Sequence, residues 1–170
     1  MPFRSFILAV LAAMTFSGCA GYRLGPSNGE VAGEKTVQIR PFLNQTLEPR
    51  LGDAVTAALR RNLQRDGTYR LSSHGQADIV VTGVVLRYNR FELSLLENDA
   101  LTAQDYRINA TVQVTARDTT TGRVLFDKPV TGYTLIRVGS DLNSSERQAI
   151  PLLADEIAKN AAAMIVDGSW

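Results

Sequence analysis

Asp105–Asp118, DYRINATVQVTARD, alternates without a fault between two kinds of side chain. Tyr106, Ile108, Ala110, Val112, Val114 and Ala116 fall on one side, and Arg107, Asn109, Thr111, Gln113, Thr115 and Arg117 on the other. Successive side chains of a strand point to opposite faces, so this segment reads as a β-strand with one buried and one wet face. On its C-terminal side, DTTTG (118–122) supplies a hairpin loop with a glycine for positive φ. The chain then returns through RVLFDKPVTGYTLIRVG (123–139), where Pro129 lacks a donor and predicts an edge strand or a bulge near its middle. Upstream, DIVVTGVVLRYNRFELSL (78–95) is apolar on both faces from Ile79 to Leu86 and more polar from Arg87 onward. The three segments form an antiparallel meander.

Two helical patterns flank it. Glu48 to Asp66 carries Leu51, Val55, Ala58, Leu59 and Leu63 at three- and four-residue intervals, with Pro49 suited to the first turn and Gly67 to the C-cap. Arg60, Arg61 and Arg65 crowd its C-terminal half, where the helix dipole favours cations. Ser144 to about Asp167 repeats the helical spacing through Ile150, Leu153, Ile157, Ala161 and Met164, and Ser145 with Gln148 resembles a capping box. Pro151 conflicts with a straight helix there, predicting a kink or a start nearer Ala149. Ahead of the first helix, KTVQIRPFLN (35–44) reads as a short strand with Pro41 at its end or on an edge. The expected fold is α+β: a four-stranded mixed sheet with two helices packed on one face.

The N-terminus reads differently. Arg4 precedes the apolar run Phe6 to Met14, and Ser17-Gly18 stand before Cys19, the only cysteine among 170 residues. This is the order of zones in a secretory signal, and the run falls short of the about 20 apolar residues a spanning helix needs. A buried N-terminal helix or an uncleaved anchor is the alternative. Phe16-Ser17-Gly18-Cys19 resembles a bacterial lipobox, with Phe16 in place of the usual leucine. That resemblance implies an acylated, palmitate-type anchor on Cys19, and Ala20 after it implies outer-membrane sorting. Residues 1–18 are then a lipoprotein signal peptide, 19–34 a lipidated, glycine-rich tether, and 35–170 one α/β domain.

Composition narrows the function. Eighteen Lys+Arg balance 17 Asp+Glu, which argues against nucleic acid as a partner. One cysteine and one histidine leave no Cys/His metal cluster, and His74 lies in a turn-like SSHGQAD. Neither a nucleophile elbow nor a P-loop nor a dinucleotide fingerprint occurs, and the aspartates are scattered. The expectation is a protein that is not an enzyme, with no catalytic residues, metal or cofactor.

The unusual stretch is FELSLLENDALTAQ (91–104), between the first two meander strands, with Phe91, Leu93, Leu95, Leu96 and Leu101 where loops are normally polar. Either the strands run on and these are core residues, or apolar side chains beside Arg87 and Arg90 receive something with acyl chains and phosphates. Arg87, Arg90 and Arg137, each at a strand end, are the candidate phosphate ligands; the alternative is that they are solvated charges.

The lipobox, GYRLG (21–25), the Phe42-x-Asn44-x-Thr46 pattern, the helix LGDAVTAALRRNLQRDG (51–67), ADIVVTGVVL (77–86) and the meander together resemble the lipopolysaccharide-assembly lipoprotein family LptE. The resemblance implies two helices on a four-stranded sheet, seated as a plug in the lumen of the outer-membrane β-barrel LptD. It implies a role in assembling that barrel and in transporting and inserting lipopolysaccharide, which the family binds partly through basic residues near the loops at one end. Cys19 carries over as the lipidated residue; the family's basic positions have no matching motif in these loops, and Arg87, Arg90 and Arg137 are candidates for lipopolysaccharide binding from their own place at strand ends. LptD, lipopolysaccharide and the membrane reached through the acyl anchor are the implied partners. Two other classes stay open: a lipoprotein adaptor of another periplasmic machine, such as a peptidoglycan-synthase activator or secretion-channel subunit, and a membrane-tethered enzyme.

Overall fold

The computed structural model of the chain describes residues 32–96, 99–138 and 141–167. In chain order the elements are β1 (Thr36–Ile39), β2 (Leu43–Asn44), α1 (Leu51–Asp66), β3 (Arg70–Leu71), β4 (Ile79–Leu96), β5 (Asp99–Asp118), β6 (Val124–Arg137) and α2 (Leu142–Val166). They form one mixed sheet in the order β3-β1-β4-β5-β6, with β2 paired to β4 beyond β1. The pairs β1–β3, β1–β4 and β2–β4 are parallel, and β4–β5 and β5–β6 antiparallel. Both helices lie on one side: α2 packs on β5 and β6, α1 touches β1 to β4, and the helices pack on each other.

The α+β class and the one-sided helices are as expected, but the sheet has six strands where four are expected. KTVQIRPFLN breaks at Arg40-Pro41 into two strands that both pair with β4, because proline has no amide to continue the ladder. The other addition, β3, has two residues, too short for any periodicity to register.

The alternation in β5 is observed: Ile108, Ala110, Val112, Val114 and Ala116 are buried. They meet Val55, Leu59 and Leu63 of α1 and Leu153, Ile157 and Ile165 of α2 in one core. Fully burying an aliphatic side chain of this size contributes about 1.5–3 kcal/mol. Gly67 and Gly122 take the left-handed φ values of 77° and 71° that a C-cap and a hairpin turn require. Pro129 faces Gln113 without a register shift, so β6 is an edge strand with no bulge near its middle, its one register shift lying at Leu125 near its start.

The second helix begins earlier than either expected start. Asp141 is its N-cap, accepting from the amides of Asn143 and Ser144 at 3.2 and 2.9 Å. Ser145 instead bonds back to the Asp141 carbonyl, so the Ser145–Gln148 capping box does not govern the start. Pro151 lies inside the helix on its exposed side, leaving the carbonyl of Arg147 without its usual donor.

The Phe42-x-Asn44-x-Thr46 pattern closes the connection from β2 to α1. The amide and hydroxyl of Thr46 donate to Asn44 Oδ1 at 3.0 and 2.8 Å, and Asn44 Nδ2 donates to the Glu48 carbonyl at 2.6 Å. The Phe42 amide donates to Thr56 Oγ1 at 3.0 Å, and that hydroxyl donates to the Gly52 carbonyl at 2.8 Å. The Phe42 ring lies over Gly83 of β4, where a Cβ would stand 2.3 Å from the nearest ring carbon.

Two expectations follow. Gly83→Ala forces the buried Phe42 ring aside and lowers unfolding free energy by about 1–3 kcal/mol in urea titration, with the far-UV spectrum retained. Hydrogen bonds from Ser144 and Asn143 hold the Asp141 carboxyl below its ordinary value of 3.8. Its contribution is therefore complete above that value and is lost as pH falls through the lowered folded-state value. Asp141→Ala melts below the parent at neutral pH, and the gap closes as the melting series is taken into strong acid.

Candidate functional site

Beyond β2, the outer edge of β4 has no strand partner among the described residues. Asn44 pairs with Val85 and the Gln45 amide donates to the Val85 carbonyl at 3.0 Å, and there the coverage ends. At the same point the β4–β5 register shifts: Val85 faces Val112, Arg87 faces Thr111, and Leu86 is the extra residue of a bulge. The bulge exchanges the faces of β4. Ile79, Val81 and Val85 point into the core, but past Leu86 it is Tyr88 and Arg90 that share a face with Ala110 and Ile108. Arg87, Asn89 and Phe91 move to the open face.

The bulge, the Gln45–Glu48 loop and Glu146 of α2 border an open cavity of about 740 Å³. Arg87 and Arg90 border it with Leu47, Leu86, Phe91 and Glu146. Leu47 is fully exposed, and Leu86 and Phe91 are 38% and 50% exposed, so apolar surface stands beside two cations. Arg90 Nη1 meets Glu146 Oε1 at 2.8 Å and its guanidinium lies 5.7 Å from the Tyr106 ring centre. The Tyr88 hydroxyl donates to the same Glu146 oxygen at 3.0 Å. Burial, and after it the Glu146 charge, push the Tyr88 phenol well above its ordinary value, so it stays a donor. Arg87 is exposed and has no hydrogen-bond or ionic partner among the described residues.

The cross-strand rows of the open face show the same trend. Val84, Gln113 and Pro129 form one row; Arg87, Thr111 and Thr131 the next; then Asn89, Asn109 and Tyr133; then Phe91, Arg107 and Leu135. Polar rows give way towards the hairpin end to exposed Phe91, Tyr133 and Leu135 around Arg107, whose guanidinium lies 4.6 Å from the Tyr133 ring centre. Asn109 Oδ1 is buried here without a hydrogen-bond partner among the described residues.

The candidate arginines do not converge on one point. Arg87 and Arg90 share the cavity from opposite faces of β4, whereas Arg137 pairs with Asp105. Thr111 and Asp105, the β5 partners of Arg87 and Arg137, are six positions apart, about 20 Å along the strand. Arg137 Nε donates to Asp105 Oδ1 at 2.8 Å, and Ser94 donates to Asp105 Oδ2 at 2.6 Å. Those contacts hold the Asp105 carboxyl below its ordinary range. The strands do run on through the leucine-rich segment, yet Phe91 and Leu93 are exposed and not core. The side chains of Leu95, Leu96 and Leu101 lie outside the described residues, as does Cys19. Sequence reasoning missed Leu47 and Arg107 with Tyr133. The polarity change at Arg87 was the available signal for the bulge. Among the described residues, no group of three or more His, Cys, Asp or Glu side chains could hold a metal, and no helix is long and apolar enough to cross a membrane.

Comparison with known proteins follows this geometry. A family model described as LptE, Lipopolysaccharide-assembly, matches residues 34–167. No curated protein sequence matches the chain. Among solved structures, a protein from Xanthomonas campestris superposes with a TM-score of 0.61 at 9% identity, over 87% of this chain and 93% of its own. A hypothetical protein from Chlamydia trachomatis gives 0.57 at 14% identity, over 77% and 95%. A minor lipoprotein from Acinetobacter baumannii gives 0.52 at 19% identity, over 78% and 92%. At these identities the structural likenesses establish the fold.

Glu146 joins α2 to β4 through two contacts of unequal worth. Arg90 is 41% exposed, so solvent screens its ion pair, and the half-buried Tyr88 bond carries most of the interaction. Glu146→Gln should cost about 1 kcal/mol in urea titration, and in a Tyr88→Phe background most of that loss should vanish.

Proposed function

The chain belongs to the LptE lipopolysaccharide-assembly family, and from that membership we propose that it is a non-catalytic outer-membrane lipoprotein, anchored through Cys19, that plugs an LptD-type β-barrel. In this reading it aids assembly of the barrel and passes lipopolysaccharide through it. The observation that carries the proposal is the cavity past the β4 bulge. Arg87 and Arg90 can bind phosphate in a forked geometry, while Leu47, Leu86 and Phe91 accept hydrocarbon. One amphiphile with phosphates and acyl chains satisfies both. The open sheet face supports the plug: its polar rows can hydrogen-bond to a barrel lumen, which is polar.

Arg90 is held by Glu146 and Arg137 by Asp105, so each must exchange a carboxylate for a phosphate on binding. Arg87 has no such competitor among the described residues and carries the larger share of recognition.

The test measures lipopolysaccharide binding by the full-length chain. Arg87→Glu with Arg90→Glu should weaken it about tenfold or more, with Arg87→Glu alone giving most of the loss. Unchanged affinity in the double variant, with folding retained, refutes the site. Co-purification with a large β-barrel, and the mass of an acylated N-terminal Cys19 peptide, test the plug and the anchor separately.

A further inference from the structure

A second cationic site lies where β3 stops. The amides of Arg70 and Ser72 bond to the carbonyls of Lys35 and Val37, at 3.0 and 2.9 Å, and after Ser72 the chain leaves the edge of β1. The next outward-pointing carbonyl, that of Ile39, has no strand to pair with. Arg60 Nη2 of α1 reaches over and donates to it at 2.7 Å. The uncovered edge becomes the floor of a groove of about 810 Å³, walled by α1 on one side and by the 69–74 segment on the other.

Its lining is one-sided. Arg40, Arg60, Arg70 and His74 border it with Gln38, Gln64, Ser72 and Ser73, and no carboxylate is among the lining residues. Arg60 is spent on the Ile39 carbonyl. Arg40 and Arg70 are exposed, and their side chains make no hydrogen bond or ion pair among the described residues. Asp78 feels the Arg70 charge but is held by the amide and hydroxyl of Thr36, each at 2.7 Å. Buried Ile39 and Tyr69 provide apolar floor.

We propose that this groove binds a phosphate-bearing headgroup, with Arg40 and Arg70 as the charged ligands and Gln64 as a further donor, the Ser73 hydroxyl at the groove mouth being paired with His74 Nδ1 at 3.0 Å. Donors without an acceptor of matching charge select an anion. The groove is open to solvent on one side, so a phosphate carried on a larger polar body can enter it. A soluble phosphate ester and the surface of an anionic bilayer share this chemistry. The groove is separate from the Arg87–Arg90 cavity and stands or falls independently of the proposed lipopolysaccharide site.

The experiment uses the full-length chain and two probes: glucose 6-phosphate in solution, and phosphatidylcholine vesicles with or without phosphatidylglycerol. Binding of either probe that falls about tenfold or more in Arg40→Ala/Arg70→Ala supports the site, and which probe binds identifies the source of the phosphate. Ser73→Asp, an exposed change that puts a carboxylate at the groove mouth, should give the same loss and guards against misfolding of the double variant. Arg61→Ala/Arg65→Ala, on α1 outside the groove, should leave binding within about twofold. No binding of either probe overturns the proposal. So does equal loss in the Arg61/Arg65 variant, which would mean diffuse surface charge.

Discussion

The continuous hydrogen bonding of β4 is the constraint on which the rest depends. This strand alone holds β1 and β2 on one edge and β5 on the other, and β5 in turn carries β6. Its residues up to Val85 share the layer beneath α1 with β1 to β3, and the close approach of Phe42 requires glycine at position 83. The single extra residue at Leu86 then turns the strand over. Had the ladder run on unshifted, Arg87 would point at the helices and Tyr88 at solvent. The bulge turns Arg87 to the open face and Tyr88 and Arg90 towards α2, so the two sides of the candidate site are set by one backbone irregularity.

Local carboxylates follow a common plan that shapes the electrostatics. Asp78 is held by Thr36, Asp118 by Thr121, Asp127 by Gln113 and Thr115, and Asp141 by Ser144 and Asn143. In each case hydrogen bonds to the ionised form pull the carboxyl below its ordinary value. These acids act as turn and strand fasteners. Arg40, Arg70, Arg87 and Arg107 are left facing solvent without a paired carboxylate among the described residues, so a chain with formal net charge of only +1 still presents basic faces.

What could be read from the sequence was what repeats. The alternation of β5, the heptad-like spacing of α1, the glycine at the end of α1 and the hairpin loop at 118–122 each rest on several residues agreeing, and each stands in the structure. Tertiary pairing without a local signature was not readable. β2 and β3 have two residues apiece and exist only because β4 and β1 offer them edges. The start of α2 was misplaced because Ser145 and Gln148 match a capping pattern that Asp141, four residues earlier, satisfies first. Of the site, the arginine and leucine content of the hairpin was visible. Its partition between two faces was not, since period-two reading assumes no bulge.

The two cationic sites have one structural origin. In each, a two-residue parallel strand ends and uncovers the edge of its longer neighbour: β2 leaves β4 after Asn44, and β3 leaves β1 after Leu71. An exposed edge is a template for unwanted pairing, and charged side chains are a common guard against it. Arg60 serves β1 in that way directly, by occupying the Ile39 carbonyl. Arg87, Arg90, Arg40 and Arg70 crowd the same two edges with charge. At β1 the guarded edge is also a groove with no carboxylate in its lining, whereas at β4 Glu48 and Glu146 share the lining with the arginines. In the proposed reading, protection of the sheet and recognition of an anion use the same arginines, with the 45–48 and 72–74 loops completing the walls.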